Sequence, residues 1–530
     1  MFLVSLNLLV RYPRTPHELG LDGFIFHGMT LTLVEDGAAK WVIHPLSYFG
    51  LYPLSHPSGS IFFLASLTDV SGVQIEGAIL LFDFGLTLVG ILAAFMLSME
   101  IRRDEALALL VGAFFGLSPR LVSGLLWEIP TRTLFSVFVP LFIWMLLRWH
   151  RSRDHRWLGF AVVVLVVMMS AHRLTVLMAA ILIAFILTEI MQVASRTLRI
   201  RYASLVLQQT FKRTANTAVL VAFFLVSISF LTIGGILESY TAGRAGIGFG
   251  ILLQLSNLGV SLARSAGFLI PLVPGGVIVV YRLRNKGFKE PFLLMILLVL
   301  IPTLTLRQYT GYYIIAITAV FIGLGLWWVL EKLPTRLAKQ TVVSLALAIS
   351  VASATYVVGF DLQFDPFMDD TTYLHGLWIE HSTQGTLVSN DGILASEVFL
   401  VSGHPYLPVG GATTAFQSPE LLIFGFVNTS RAQITPLPFR DLTLESDSPF
   451  VLLDVQAEAD WASILDHHLD NTPSRILETY NPTYLLENTR LGGGYSAYGN
   501  RYPSVFIADV HSRCYKVFEI PGQALWYFGG

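Results

Sequence analysis

The chain has 530 residues, of which 54% are hydrophobic and 13% charged. Soluble domains carry about 25% charged residues, so this composition excludes an ordinary soluble protein and indicates an integral membrane protein with some soluble mass attached. A net charge of −2 offers nothing to nucleic acid, and the single cysteine, Cys514, excludes an intrachain disulfide.

The chain opens with an apolar stretch over 2–10. A helix needs about 20 apolar residues to cross a bilayer, so this stretch supplies about half a span. It reads either as the outer half of a first span or as an interfacial helix. No basic region precedes it and no small-residue cleavage pattern follows, so it does not read as a cleavable signal peptide.

Residues 21–60 form an unusually decorated connection. Asp22, His27, Glu35, Asp36, His44, Tyr48, Tyr52 and His56 are interleaved with apolar residues. A plain linker needs only a few turn residues, and this density of acids, imidazoles and phenols predicts a folded loop at the membrane surface. Residues 24–34 have helical spacing, with Glu35-Asp36-Gly37 closing the helix in a turn.

Apolar runs then follow at 73–99, 106–118, 133–149, 158–171, 174–193, 216–234, 261–281, 291–306, 309–330 and 341–359. Basic residues cluster at every second junction: Arg102-Arg103, 148–156, 196–213, 282–289 and 332–339. Lysine and arginine in short connections mark the cytoplasmic side. The alternate junctions, including 21–60 and 119–132, then face outward. With the N-terminal stretch this gives about eleven crossings, and residues 1–359 form the membrane module.

Residues 360–530 are a different material, polar and rich in proline, glycine and asparagine. Strands are expected at 385–389, 449–455, 482–488 and 514–520, a helix at 459–469, and a hairpin through Pro521-Gly522 into 524–528. This predicts an extracytoplasmic α/β domain. The fold class is thus a polytopic α-helical membrane protein with a C-terminal α/β domain.

Several polar residues carry possible chemistry. Arg120, Arg132, Arg173, Arg244, Arg264 and Arg307 fall at the outer ends of apolar runs, where the planar guanidinium suits a phosphate. Each also has a structural reading, as a headgroup contact or an ion-pair partner. His172-Arg173 sits at a sharp turn between two short runs, which is either a recessed cavity or a tight surface turn. Asp22 fits a helix N-cap, a general base toward a hydroxyl or an oxygen ligand for a divalent metal. His27 lies one turn beyond it. Glu76 and Asp83 share a helix face two turns apart, and pairing with an outer arginine is expected.

Taken together, Leu21-Asp22-Gly23 with His27-Gly28, Pro45-Leu46-Ser47-Tyr48, Tyr52-Pro53, the 170–175 turn and Arg307 resemble the GT-C superfamily of polytopic glycosyltransferases. The resemblance implies a polyprenyl-phosphate-linked sugar donor and a glycan or protein acceptor on the extracytoplasmic face. It implies Asp22 as the catalytic acid of the first loop. Arg307, with Arg132 or His172-Arg173, would hold the donor phosphate, and His27 and His44 would line the site. Metal dependence stays open, with Asp22 the residue to hold a divalent ion. The WWDYG-type motif of oligosaccharyltransferases is missing, and Gly23 follows Asp22 where protein O-mannosyltransferases have a second acid. A transporter or flippase of an anionic lipid-linked substrate, and a non-catalytic membrane protein with a partner-binding outer domain, are the competing classes.

Overall fold

The computed structural model describes residues 2–37, 58–172, 175, 178–199, 251–283, 287–304, 311–364, 367–407, 455–497 and 500–529. The short N-terminal helix α1 (Phe2–Val10) ends at Arg11, which is 1% exposed. The Arg11 guanidinium donates to the carbonyls of Gly116 at 2.6 Å and Asn7 at 3.2 Å. Helix α2 (Leu21–Asp36) stops at Gly37, whose left-handed φ of 64° lets its N–H return to the Leu33 carbonyl. The expected turn at 35–37 is therefore present. The N-cap, however, is Gly20 at φ 89°, and Asp22 lies inside the first turn. Glycine takes that positive φ without penalty. A Cβ there would also sit 3.1 Å from the Glu128 carboxyl carbon.

Helices α3 (Gly59–Ser71), α4 (Ile75–Ile101), α5 (Glu105–Gly116), α6 (Pro119–Ser123), α7 (Thr131–Ser152), α8 (Arg156–Ala171) and α9 (Met178–Arg199) come next; α4, α5, α7, α8 and α9 follow the predicted apolar runs, whereas α3 and the short α6 fall where connections were expected. After residue 250 come α10 (Ile251–Ala266), α11 (Leu272–Arg282), α12 (Lys289–Leu304), α13 (Gly311–Lys332) and α14 (Arg336–Phe364). Among the described residues, α4, α7, α13 and α14 are the 4 helices long and apolar enough to cross a membrane. The single run expected at 261–281 is instead two helical pieces bent by 93°. Gly267 adopts φ 57° at the break, and Pro271 precedes α11. The run expected at 216–234 lies outside the described residues.

The bundle packs through aromatic and small residues. Phe115, Phe135, Phe142, Phe185 and Phe292 share one buried core. Helices α11 and α13 approach backbone to backbone. A Cβ on Gly276 would strike the Phe321 carbonyl, and one on Gly325 the Leu272 carbonyl. Such close approach is how apolar helices attract one another where no hydrophobic effect operates between them.

Polar groups mark the two ends of α4. At its C-terminal end Glu100, 3% exposed, meets Arg151 at 2.9 Å, Arg148 at 3.6 Å and Lys289 at 3.8 Å. Beside them His150 donates to Glu189 at 2.6 Å and stacks on Phe288. At the N-terminal end lie Glu76 and an acidic cluster. At about 1.5 Å rise per residue the two glutamates are about 36 Å apart, comparable with a bilayer's hydrocarbon core.

The C-terminal chain builds an α/β unit. It begins with α15 (Asp370–Ser382), β1 (Thr386–Ser389) and α16 (Gly392–Ser402). After residue 454 come α17 (Val455–Asp466), α18 (Ser474–Tyr480), β2 (Pro482–Asn488), β3 (Gly494–Ala497), β4 (Asn500–Pro503), α19 (Val505–Arg513), β5 (Tyr515–Ile520) and β6 (Gln523–Tyr527). The main sheet has the order β1-β2-β6-β5, with β1 parallel to β2 and the other pairs antiparallel. The expected β5–β6 hairpin is present, turned by Gly522 at φ 87°. The strand expected at 449–455 lies outside the described residues except for Val455, which opens α17.

This unit shares a core with α2, α3 and the start of α4. Phe26 and Met29 of α2, Ile61 and Leu64 of α3 and Ile79 of α4 join Leu387, Leu394, Val398 and Leu485 in one apolar cluster. The shared core fixes the sheet against the start of the chain.

Candidate active site

The connection from α1 to α2 carries His17 and Glu18 into a polar knot at the N-terminal end of α4. Glu18 is 1% exposed, and its Oε1 accepts a 2.7 Å hydrogen bond from His27 Nδ1. The Glu18 backbone N–H donates to Glu76 Oε1 at 3.1 Å, and His17 Nδ1 donates to the same oxygen. The other face of His17 turns to the C-terminal unit. Its Nε2 lies 3.6 Å from Asp370, and its ring stacks on Tyr373 at 4.2 Å.

The connector between α6 and α7 closes this knot from the other side. Trp127 has a left-handed φ of 69°, uncommon for a bulky side chain. Two hydrogen bonds hold it there. Its backbone N–H donates to Asp83 Oδ2 at 3.0 Å, and its indole donates to the Glu76 carbonyl at 2.9 Å. The next N–H, of Glu128, reaches Asp83 at 3.3 Å. Trp127 also accepts from Leu19 N–H at 3.1 Å, so the entry to α2 is pinned to this connector. Glu76 and Asp83 do share a helix face, but the hydrogen bonds they accept come from His17 and from backbone N–H groups. Pairing with an outer arginine was expected, and nearby main-chain donors have taken its place.

Arg120 lies in α6, just ahead of this connector. It is 6% exposed and lies 4.9 Å from the Tyr312 ring centre. A side chain on Gly311 would collide with its guanidinium. Ser118 donates to the Ser265 carbonyl at 2.7 Å, and Ser265 donates to Gly311 at 3.3 Å. Arg120 thus sits where α13 begins, a few residues after Arg307. Residues 119–131 therefore link a guanidinium at one end to the acidic knot at the other.

The remaining expected residues are placed as follows. His27 is buried at 8% exposure and bonded to Glu18. Asp22 is the second residue of α2, and its side chain lies outside the described residues. His44, Arg173 and Arg307 also lie outside them. Arg132 is half-buried in the first turn of α7. His172 ends α8 at 8% exposure, and its carbonyl accepts from Thr175 Oγ1 at 2.8 Å. The α8 terminus meets the end of the first loop, since a Cβ on Gly59 would strike Ser170. Among the described residues no three His, Cys, Asp or Glu side chains are placed to hold a metal ion. Glu18, Trp127 and Glu128 are new members of the site. Of these, Glu18 beside His17 was the one with a visible signal, an acid next to an imidazole just before Asp22.

At the level of sequence the chain matches no family model and no curated protein. Its fold matches solved structures well. The oligosaccharyltransferase of Archaeoglobus fulgidus in its apo form aligns with TM-score 0.56 and 12% identity, over 93% of this chain and 70% of that one. ArnT from Cupriavidus metallidurans, bound to undecaprenyl phosphate, aligns with TM-score 0.55 and 13% identity, over 99% of this chain and 97% of that one. The Archaeoglobus fulgidus enzyme AglB, in complex with an inhibitory peptide and a dolichol-phosphate, aligns at TM-score 0.53 and 14% identity, over 93% of this chain and 69% of that one. The architecture is therefore that of a polytopic membrane protein. Its fold is similar to that of the Archaeoglobus fulgidus oligosaccharyltransferase and of ArnT.

Proposed function

We propose that this protein is a membrane glycosyltransferase that moves a sugar from a polyprenyl-phosphate carrier to a glycan or protein hydroxyl or amide at the extracytoplasmic face. The observation that carries the reading is one connector, residues 119–131, joining a buried arginine to a buried carboxylate–imidazole knot within a GT-C fold. A phosphate needs the first, and the second holds the helix that carries Asp22, the residue to take the acceptor proton. Two of the structural neighbours hold polyprenyl-type phosphates, undecaprenyl phosphate in ArnT and a dolichol-phosphate in AglB.

In the proposed step the acceptor oxygen or nitrogen forms a bond to the sugar's anomeric carbon, while the bond from that carbon to the phosphate oxygen breaks. The acceptor proton passes to Asp22, and the polyprenyl phosphate leaves with the bonding electrons. Arg120 and Arg307, with Arg132 or His172-Arg173, stabilise the charge that grows on the phosphate, often the largest catalytic contribution in such sites. His27, fixed by Glu18, orders the helix that carries Asp22, and His44 lies further along the same loop. The carrier's hydrocarbon stays in the bilayer throughout.

The orientation follows from the two ends of α4. The arginine–lysine cluster around Glu100 belongs on the cytoplasmic side by the positive-inside rule. The acidic knot and residues 360–530 then lie outside, and residues 1–359 form the membrane module. The test is release of polyprenyl phosphate from radiolabelled polyprenyl-phosphate sugars by the purified protein, with Asp22→Asn and Arg120→Ala as comparisons. No release from any donor by the wild-type protein, or full activity of both variants, rejects this assignment.

A further inference from the structure

The face of the C-terminal unit that meets α2 carries a carboxyl group to which the proposed step gives no role. Glu397 lies in α16 and is 7% exposed, and among the described residues its carboxyl group has no hydrogen-bond or ion-pair partner. Its electrostatic neighbours are Asp391, Asp369 and Glu18. The first two are the N-caps of α16 and α15, and each accepts a backbone N–H, from Ile393 at 3.0 Å and from Thr372 at 2.7 Å. Glu18 uses Oε1 for His27 and leaves Oε2 buried without a partner. Two buried carboxyl groups from opposite sides of the junction thus lie within electrostatic reach of each other where α16 packs on α2, with acceptor capacity unused.

Burying an unpaired carboxyl group is costly. Proteins tolerate such local violations mainly at functional sites. Here the cost is raised further by the like-charged neighbours. Burial first, then Asp391, Asp369 and Glu18, push the Glu397 carboxyl well above its ordinary range. On the opposite rim His17 is engaged by Glu76 and Asp370, and His27 by Glu18. An occupant that donates hydrogen bonds or carries positive charge relieves this crevice, and an anion worsens it.

We propose that Glu397 and Glu18 form the acceptor end of the site, a crevice between α16 and α2. It takes a neutral polyol or an ammonium-bearing acceptor and rejects an anionic one. This deepens the glycosyl-transfer reading and rests on it. The donor phosphate, itself anionic, belongs at the Arg120 end.

The test uses the full-length protein in detergent, with a water-soluble carbodiimide and two capturing amines, cationic ethylenediamine and anionic taurine. Mass spectrometry reads the adduct at Glu397, with the exposed carboxyls of Asp470 and Glu519 as internal standards. The expected result is capture of ethylenediamine over taurine at Glu397 by about tenfold or more, with near-equal capture at the standards. Equal capture at Glu397, or no adduct there from either amine, overturns the proposal.

A second arm offers octyl glucoside, octyl glucosaminide and octyl glucoside 6-phosphate as acceptors with polyprenyl-phosphate sugars. The phosphate compound is expected to be the poorest acceptor. Glu397→Gln is expected to raise KM for the aminosugar more than for the neutral one. Use of the phosphate compound as readily as the neutral one also overturns the proposal. Absence of polyprenyl phosphate release in every arm counts against glycosyl transfer, leaving the labelling result to judge the crevice.

Discussion

Glu18 and His27 are joined by a 2.7 Å hydrogen bond between Oε1 and Nδ1, across the glycine that opens α2. The bond ties the buried end of the α1–α2 connection to the second turn of the helix. Removing the carboxylate in Glu18→Ala strands a buried imidazole N–H. The expected cost is about 1–3 kcal/mol, read as a lower Tm of the purified protein in detergent. Glu18→Gln keeps an acceptor and should lose less. Equal losses for the two would show that the hydrogen bond is not what Glu18 contributes.

Asp83 holds two consecutive backbone N–H groups, of Trp127 and Glu128. It thereby keeps Trp127 in its left-handed conformation. Asp83→Ala is expected to cost about 1–3 kcal/mol, since it leaves two backbone N–H groups without their acceptor. Trp127→Phe removes only the indole bond to Glu76, and about 0.5–1.5 kcal/mol should go with it. Thermal unfolding followed by tryptophan fluorescence orders the two variants. A milder effect for Asp83→Ala than for Trp127→Phe would contradict this account.

The α11–α13 contact predicts a contrast between two glycines. A methyl group on Gly276 meets the Phe321 backbone, whereas one on Gly85 meets nothing within 4 Å. Gly276→Ala should reduce the yield of monodisperse protein on size exclusion. Gly85→Ala should leave it unchanged or raise it, since alanine is favoured over glycine in a helix by about 0.5–1 kcal/mol.

Glu397 gives a pH prediction with a definite sign. Its folded-state proton affinity is raised by burial and by three carboxyl neighbours. Between the unfolded value of about 4.3 and the raised folded value, the folded protein holds a proton that the unfolded chain has released. This group's contribution to stability therefore falls as pH rises through that window. Glu397→Gln removes the titration. The Tm difference, variant minus wild type, should be smallest in acid and grow more positive as the solution is made neutral. A difference independent of pH would sink the argument.

Several of the long helices are legible in the sequence because an apolar run is a redundant signal. The run at 73–99 became Ile75–Ile101 and that at 133–149 became Thr131–Ser152, since a long apolar stretch has few other places to go. Its direction was not legible. Hydropathy passes smoothly through Gly267 and Pro271, and only backbone geometry records the 93° bend. In the candidate site, His27 was picked out by residue type. Its partner Glu18 lies before Leu21, outside the decorated stretch 21–60, so residue type alone does not pair the two. The fate of Asp83 was harder still, because its donors are main-chain N–H groups at Trp127 and Glu128, which side-chain patterns do not reveal. The strand at 482–488 was read with its boundaries intact, since a buried run between Asn481 and a 3₁₀ turn has sharp edges.

The apolar cluster joining α2, α3 and α4 to the C-terminal sheet also sets a timetable for biogenesis. Phe26, Met29, Ile61 and Leu64 emerge early in synthesis, while Leu387, Leu394, Val398 and Leu485 emerge some 300 residues or more later. At about 5–20 residues per second, the first helices wait on the order of tens of seconds for the surface that covers them. During that interval the young chain presents an incomplete, sticky face at the membrane boundary, so a chaperone or the insertion machinery has a reason to shield it.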